Sequence, residues 1–424
     1  MKRLLQFILS LAVVVCARGE VTDTRQGIME PSFRSLNVTV EANPQAPPVI
    51  NLRDPSDAII IEFDELGTDA RRLRYSLTHC DARWQPEGLV DPEFLDSFNE
   101  GEVEEYDFSQ ATLTHYVNYR IRIPDGQIRI TEPGNYLLRV YDEDDPDATL
   151  LQARFSVVDP KASVRLDATS RTDIDSNDAH QQLEIEVDTR HLDLDDPFND
   201  LRVVITQNGR PDSERVLVTP QRLGHQSNIY AHLPALIFPA GNEYRRFETV
   251  STTYPGIGVE HIDLDAPVVN MSLYTDTPRR GQSYLYDQTQ HGRFVVRTVD
   301  ADREDAPTRA DYVLTLFTLA ADPDRLPPGD IFIEGDLTQR RFDPMSRMQY
   351  NRATGLYEQQ ILLKQGAYNY QYLFVPRGSE TGQTLPIEGD KYQTVNQYTV
   401  KVFHRARGSR LDRLVGVGTI TTGI

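Results

Sequence analysis

The chain has 424 residues, a formal net charge of −20 and two cysteines. That charge excludes a nucleic-acid partner and polyanionic surfaces generally. Two cysteines exclude a disulfide-stapled scaffold, so ordinary apolar cores must hold the fold. Only five of the 44 basic residues are lysine, at 2, 161, 364, 391 and 401. Such an acidic, lysine-poor surface stays soluble at high ionic strength, and a salt-loving source organism is the corresponding expectation.

The chain begins like an export leader. Lys2 and Arg3 precede LLQFILSLAVVV, of the length of a signal core and too short for a comfortable membrane span. Small residues follow, so residues 1–19 are expected to be a signal peptide, cut after Ala17 or Gly19. The second cut removes Lys2, Arg3 and Arg18 and takes the formal charge to −23. Either cut leaves Cys80 as the single cysteine. VVVC is a poor acylation box for Cys16, and no later segment is apolar enough to span a bilayer. A soluble, exported, periplasmic protein is expected, without direct membrane insertion and monomeric.

Strand patterns dominate the rest. AIIIEF (58–63), RLRYSLTH (72–79), NYRIRI (118–123), NYLLRVY (135–141) and ARFSVVD (153–159) are β-branched or aromatic runs bounded by turn residues. LEIEV (183–187), LRVVITQ (201–207), FETVSTTY (247–254) and VVNMSLYT (268–275) continue the pattern. GRFVVRTV (292–299), YVLTLFTL (312–319), IFIEGDL (331–337), LYEQQILL (356–363), YNYQYLFV (368–375) and QYTVKVFH (397–404) complete it. No stretch keeps a long helical period. The spacing predicts an all-β protein of three tandem immunoglobulin-like sandwiches. Breaks near Pro160 and within 277–292 set the expected domains at 20–159, 160–280 and 281–410, with a tail over 411–424.

THCDARW (78–84) carries the residues most suggestive of chemistry. Alternation along a strand sends His79 and Cys80 to opposite faces, so they form no dyad. His79 shares a face with Tyr75 and Leu77, which predicts a buried, hydrogen-bonded histidine. Trp84 either anchors the following loop onto the sandwich or binds a ligand. That loop, 84–109, is long for a sandwich connection, and loops of this length tend to be functional. Its Trp84, Leu89, Phe94, Leu95 and Phe98 fold the loop on itself or dock a partner, and the two roles do not exclude each other.

Other chemistry is weakly marked. Asp173, Asp175 and Asn177 alternate and Glu184 stands twelfth, as in a calcium loop, but Asp178 occupies the position that needs glycine. There is no CxxC, HExxH, GxSxG or phosphate-binding loop, and GIG (256–258) and GVG (416–418) lack a third glycine. No enzyme is indicated, and no cofactor. NVT at 37 and NMS at 270 match the glycosylation acceptor pattern, which means little in a bacterial periplasm.

A family likeness runs through the same residues. RYSLTHCDARWQP, LDSFNEGEVEEYDFSQATLTHYVNYRIRIP, PGNYLLRVYDEDD and ARFSVVDP together resemble the first domain of the type IX secretion system plug protein. GNEYRRFETVSTTYPGIGVEHI (241–262) resembles the family's middle region, and 334–374 with 387–416 its last domain. Ser97 and Pro133 depart from it, standing where glycine and serine are expected. The resemblance implies a non-enzymatic periplasmic protein that closes the periplasmic opening of a giant outer-membrane β-barrel translocon. An alternative comes from GDLTQ followed by GLYEQQILLKQGAYNYQYLF, which also resembles the glycogen-binding branch of the immunoglobulin-like fold. Against that carbohydrate-binding reading, Gln339, Arg340 and Arg341 stand where a platform tryptophan is expected. Tyr368, Tyr370 and Tyr372 also alternate on one face, as a core stripe does.

Overall fold

The computed structural model describes residues 23–423; the expected leader and Cys16 lie outside them. Among the described residues the chain is all-β apart from one four-residue α-helical turn, Ala306–Arg309, and five three-residue 3-10 turns. No helix there is long and apolar enough to cross a membrane. The strands expected from β-branched and aromatic runs are present except that FETVSTTY (247–254) is strand only at its start, within Arg245–Glu248. Leu201–Gln207, Tyr312–Leu319 and Gln397–His404 start and stop where the pattern does.

The sheets stack around three main cores. The first lies between two sheets. One runs Gly27–Ile28, Leu151–Val158, Gly134–Asp142, Leu73–Cys80 and Gly101–Glu102, with Val49–Asn51 parallel to Leu151–Val158. The other runs Phe33–Val40, Ile59–Leu66, Tyr116–Ile123 and Glu105–Phe108. Phe63 stacks on Tyr119 and Tyr136 on Phe155 between them, at ring separations of 5.5 and 5.6 Å. Such aromatic pairs add to the burial energy of the core.

The second core lies between a sheet built on Val164–Thr169, His180–Asp188 and Ser227–Tyr230 and one running Arg215–Leu217, Leu201–Gln207, Gln397–His404, Arg413–Thr421. The third gathers Phe247, Phe317, Ile333, Tyr368 and Tyr370. It is enclosed by sheets built on Gly366–Pro376 and on Tyr312–Leu319 with Leu356–Lys364.

Pairing crosses two of the boundaries drawn from the sequence. Gln397–His404 pairs with Leu201–Gln207, and Arg413–Thr421 extends that sheet, so the segment expected as a tail is a strand of the second unit. Arg245–Glu248 pairs with Gly366–Pro376, and Asn270–Leu273 with Tyr312–Leu319, so both join the third unit. The third unit is thus inserted in the chain of the second. Turn residues mark where the chain bends, but not which distant strand it then meets. The GVG of 416–418 has a structural use: a Cβ on Gly416 would stand 2.6 Å from the Ala162 carbonyl oxygen, and one on Gly418 3.0 Å from Val164. Glycine lets Arg413–Thr421 close onto Val164–Thr169.

Candidate partner-binding surface

The strand Leu73–Cys80 divides its last two side chains as alternation requires. His79 is buried on the first core, 5.1 Å from the ring of Tyr136 and 6.0 Å from that of Phe94. Its Nδ1 stands 2.8 Å from Glu87 Oε2 and its Nε2 3.3 Å from the Pro133 carbonyl oxygen. Cys80 packs on the other face with Trp84 and Leu137. Burial pushes its thiol up to about 12, away from nucleophilic use.

Past the strand, the chain reverses on Asp81, whose Oδ1 accepts from the backbone N–H groups of Arg83 and Gln85 at 2.8 Å each. This brings Trp84, at φ 62°, beneath two cations. The Arg154 guanidinium lies 4.4 Å and the Lys401 ammonium 5.3 Å from its ring, geometry that suits cation–π attraction. Lys401 comes from the second unit and also donates to Ser156 of the first at 2.8 Å. Burial pushes Lys401 down to about 8 and Arg154 down to about 10. Trp84 is therefore a fastener between two units.

The loop after Trp84 is folded largely on itself. Glu93 accepts from the Val90 N–H at 2.9 Å and pairs with Arg410 of the second unit at 2.6 Å. Phe94 and Leu95 belong to the first core, Leu95 bridges to Ile130, and Leu89 packs half-buried beside them. Glu87 accepts from Arg405 at 3.2 Å and from the Asp412 backbone N–H at 2.8 Å. Of the five apolar residues singled out, Phe98 alone stands free, at 90% exposure. The loop then runs into Glu105–Phe108, whose four residues are all exposed on the edge of its sheet.

The candidate calcium ligands do not converge. Asp173 faces His232 at 3.0 Å and accepts from Gln182 at 2.7 Å, whereas Asp175 meets His180 at 2.6 Å. Asn177 accepts from Ser170 at 2.7 Å, and Glu184 is exposed on its strand opposite Asp167. Among the described residues no group of three or more His, Cys, Asp or Glu is placed to hold a metal. The carbohydrate reading gains nothing either. Tyr368, Tyr370 and Tyr372 are buried, and the last two donate to Asp276 at 2.6 and 2.9 Å. Gln339 donates to the Leu36 carbonyl of the first unit at 2.7 Å, and Arg340 is held by Glu334 and Asp336 at 2.6 Å each.

Sequence patterns did not reveal the junction between the first and third units. Lys364 pairs with Asp64 at 2.7 Å with both side chains fully buried. Tyr312 donates to the same Asp64 at 2.5 Å, and Lys364 sits 4.2 Å over the ring of Tyr116. Asp311 accepts from the backbone N–H groups of Leu113 and Thr114 at 2.6 and 3.0 Å. The one sequence signal was scarcity: Lys364 is one of five lysines and ends an apolar strand.

Compared with known proteins, residues 33–159 match the family model described as the type 9 secretion system plug protein first domain. A crystal structure of a hypothetical protein from Parabacteroides merdae is 39% identical, with a TM-score of 0.91 over 94% of this chain and 99% of that one. A structure of Escherichia coli alpha-2-macroglobulin activated by porcine elastase gives 10% identity and a TM-score of 0.20, over 94% of this chain and 35% of that one. That second likeness implies no shared fold. No curated protein matches.

Proposed function

Since the chain belongs to the type IX secretion system plug protein family, we propose that it binds and occludes the periplasmic opening of that system's outer-membrane β-barrel translocon. The observation that carries this reading is the family match over residues 33–159. A wide barrel leaves a water-filled lumen, and a closure must resist deformation across it. The buried ties between units support such a role, because rigid ordering lowers the entropic cost of docking. Binding and occlusion, rather than chemistry, also suit a protein whose His79 and Cys80 are both committed to packing. Release would follow from a difference in affinity between translocon states, as any population shift does.

Gentle detergent extraction of outer membranes, followed by capture of a tagged copy, tests the binding. The expected result is a very large β-barrel protein in near-equal amount. Recovery of the tagged protein alone, with the barrel present in the same extract, would sink the reading.

A further inference from the structure

The strand Glu105–Phe108 ends its sheet, with Tyr116–Ile123 on one side and, among the described residues, no strand on the other. Ser109 N–H donates to the Tyr116 carbonyl at 2.9 Å in the register that pairs Glu105 with Arg120 and Asp107 with Asn118. Antiparallel pairs alternate between bonded and non-bonded, so Glu105 and Asp107 use their backbone groups inward. The N–H and C=O of Tyr106 and Phe108 then point to the open side. Among the described residues neither makes any other hydrogen bond.

Register also fixes what each face of this edge displays. Tyr106 lies opposite Tyr119 and Phe108 opposite Val117, both core residues, so the two aromatics continue the core face past its cover. They are 48% and 49% exposed, with rings 6.1 Å apart. Glu105 and Asp107 continue the outer face. Arg120 reaches Glu105 only at 3.8 Å, and Asp107 has no cation partner among the described residues. Two strands inward, in the same cross-strand row as Asp107 and Asn118, Asp64 does have one: Lys364 of the third unit.

We propose that this edge is completed by an extended segment of the translocon, added as a strand beside Glu105–Phe108 and alternating apolar with basic residues. Strand addition gives affinity through main-chain bonds and specificity through alternate side chains. Here apolar side chains cover Tyr106 and Phe108, and basic ones face Glu105 and Asp107 as Lys364 faces Asp64. A second copy is a poor occupant, because edge-to-edge pairing sets the acidic residues of both copies against each other.

The inference rests on the plug reading, and the test separates the two. Tyr106→Pro removes an outward N–H while sparing the bonds to Tyr116–Ile123, a substitution that edge strands tolerate. Asp107→Lys reverses the charge without touching the backbone. Each full-length variant is expected to retain at least tenfold less barrel than wild type on capture, with an unchanged melting curve. In the wild-type complex, the amides of Tyr106 and Phe108 should become protected from hydrogen exchange. Equal retention by both folded variants, or free exchange of those amides in the complex, overturns the edge proposal and leaves the plug reading standing. Failure of wild type to retain the barrel overturns the plug reading itself. Concentration-dependent dimerisation that protects the same amides overturns the choice of occupant.

Discussion

One sheet carries both extremes of how this protein treats a carboxylate. Asp64 and Asp107 stand in the same cross-strand row, on either side of Asn118. At strand spacings of about 4.8 Å they are about 10 Å apart. Asp64 is buried and fully answered by Lys364, Tyr312 and Asn118; Asp107 is exposed, with no cation partner among the described residues. Where the third unit covers the sheet, charge is neutralised inside the molecule. Where the cover stops, charge and strand edge are left open. The first region holds the body rigid, and the second is available to a partner.

Breaking the buried end should have the largest effect. Removing one member of a buried ion pair leaves the other uncompensated and costs about 3–5 kcal/mol. Lys364→Met should lose stability of that order in urea unfolding, and so should Asp64→Asn, which leaves the buried Lys364 ammonium without its counter-charge. A loss below about 1 kcal/mol for Lys364→Met would mean that the junction does not latch the first and third units together.

The Trp84 fastener comes next. Trp84→Ala removes a mostly buried ring packed between Arg154 and Lys401, for a loss of about 3 kcal/mol by the same measurement. The same site should make stability depend on pH. Burial holds Lys401 down at about 8 in the folded protein, below its ordinary value of 10.5. Between those values the unfolded chain binds more protons than the folded one, so this site's contribution to stability rises with pH across that window. Unfolding titrations from pH 7 to 11 should show the rise in wild type and its loss in Lys401→Met.

The smallest stability effect belongs to the exposed end of the comparison. Phe98→Ser should shift unfolding by no more than about 0.5 kcal/mol, since its side chain touches little. If Phe98 belongs to the docking surface, the variant should nevertheless retain less barrel on capture. Unchanged retention would confine the surface to the strand edge.

Much of this architecture was legible in the sequence, for identifiable reasons. Alternation in RLRYSLTHC sends His79 to the core and Cys80 to the opposite face, because pleating is a local property. The apolar residues of 84–109 announced a loop with its own packing, but not that Trp84, Phe94 and Leu95 would be buried while Phe98 stands free. That outcome depends on Arg154, Lys401 and Tyr136, which are distant in the chain. The return of Gln397–His404 to the second unit was hidden for the same reason: a strand's composition does not name its neighbour. Nor did acidic spacing betray that Asp173 and Asp175 would each turn to a different histidine.

Occlusion is the property that a plug must show. The most direct measurement is the conductance of the purified translocon barrel in a planar bilayer, with this protein added to the periplasmic side. The expected result is a large, steady conductance that closes on addition and reopens when the protein is washed away. A conductance unchanged by saturating protein, in a barrel shown to bind it, would contradict the plug function.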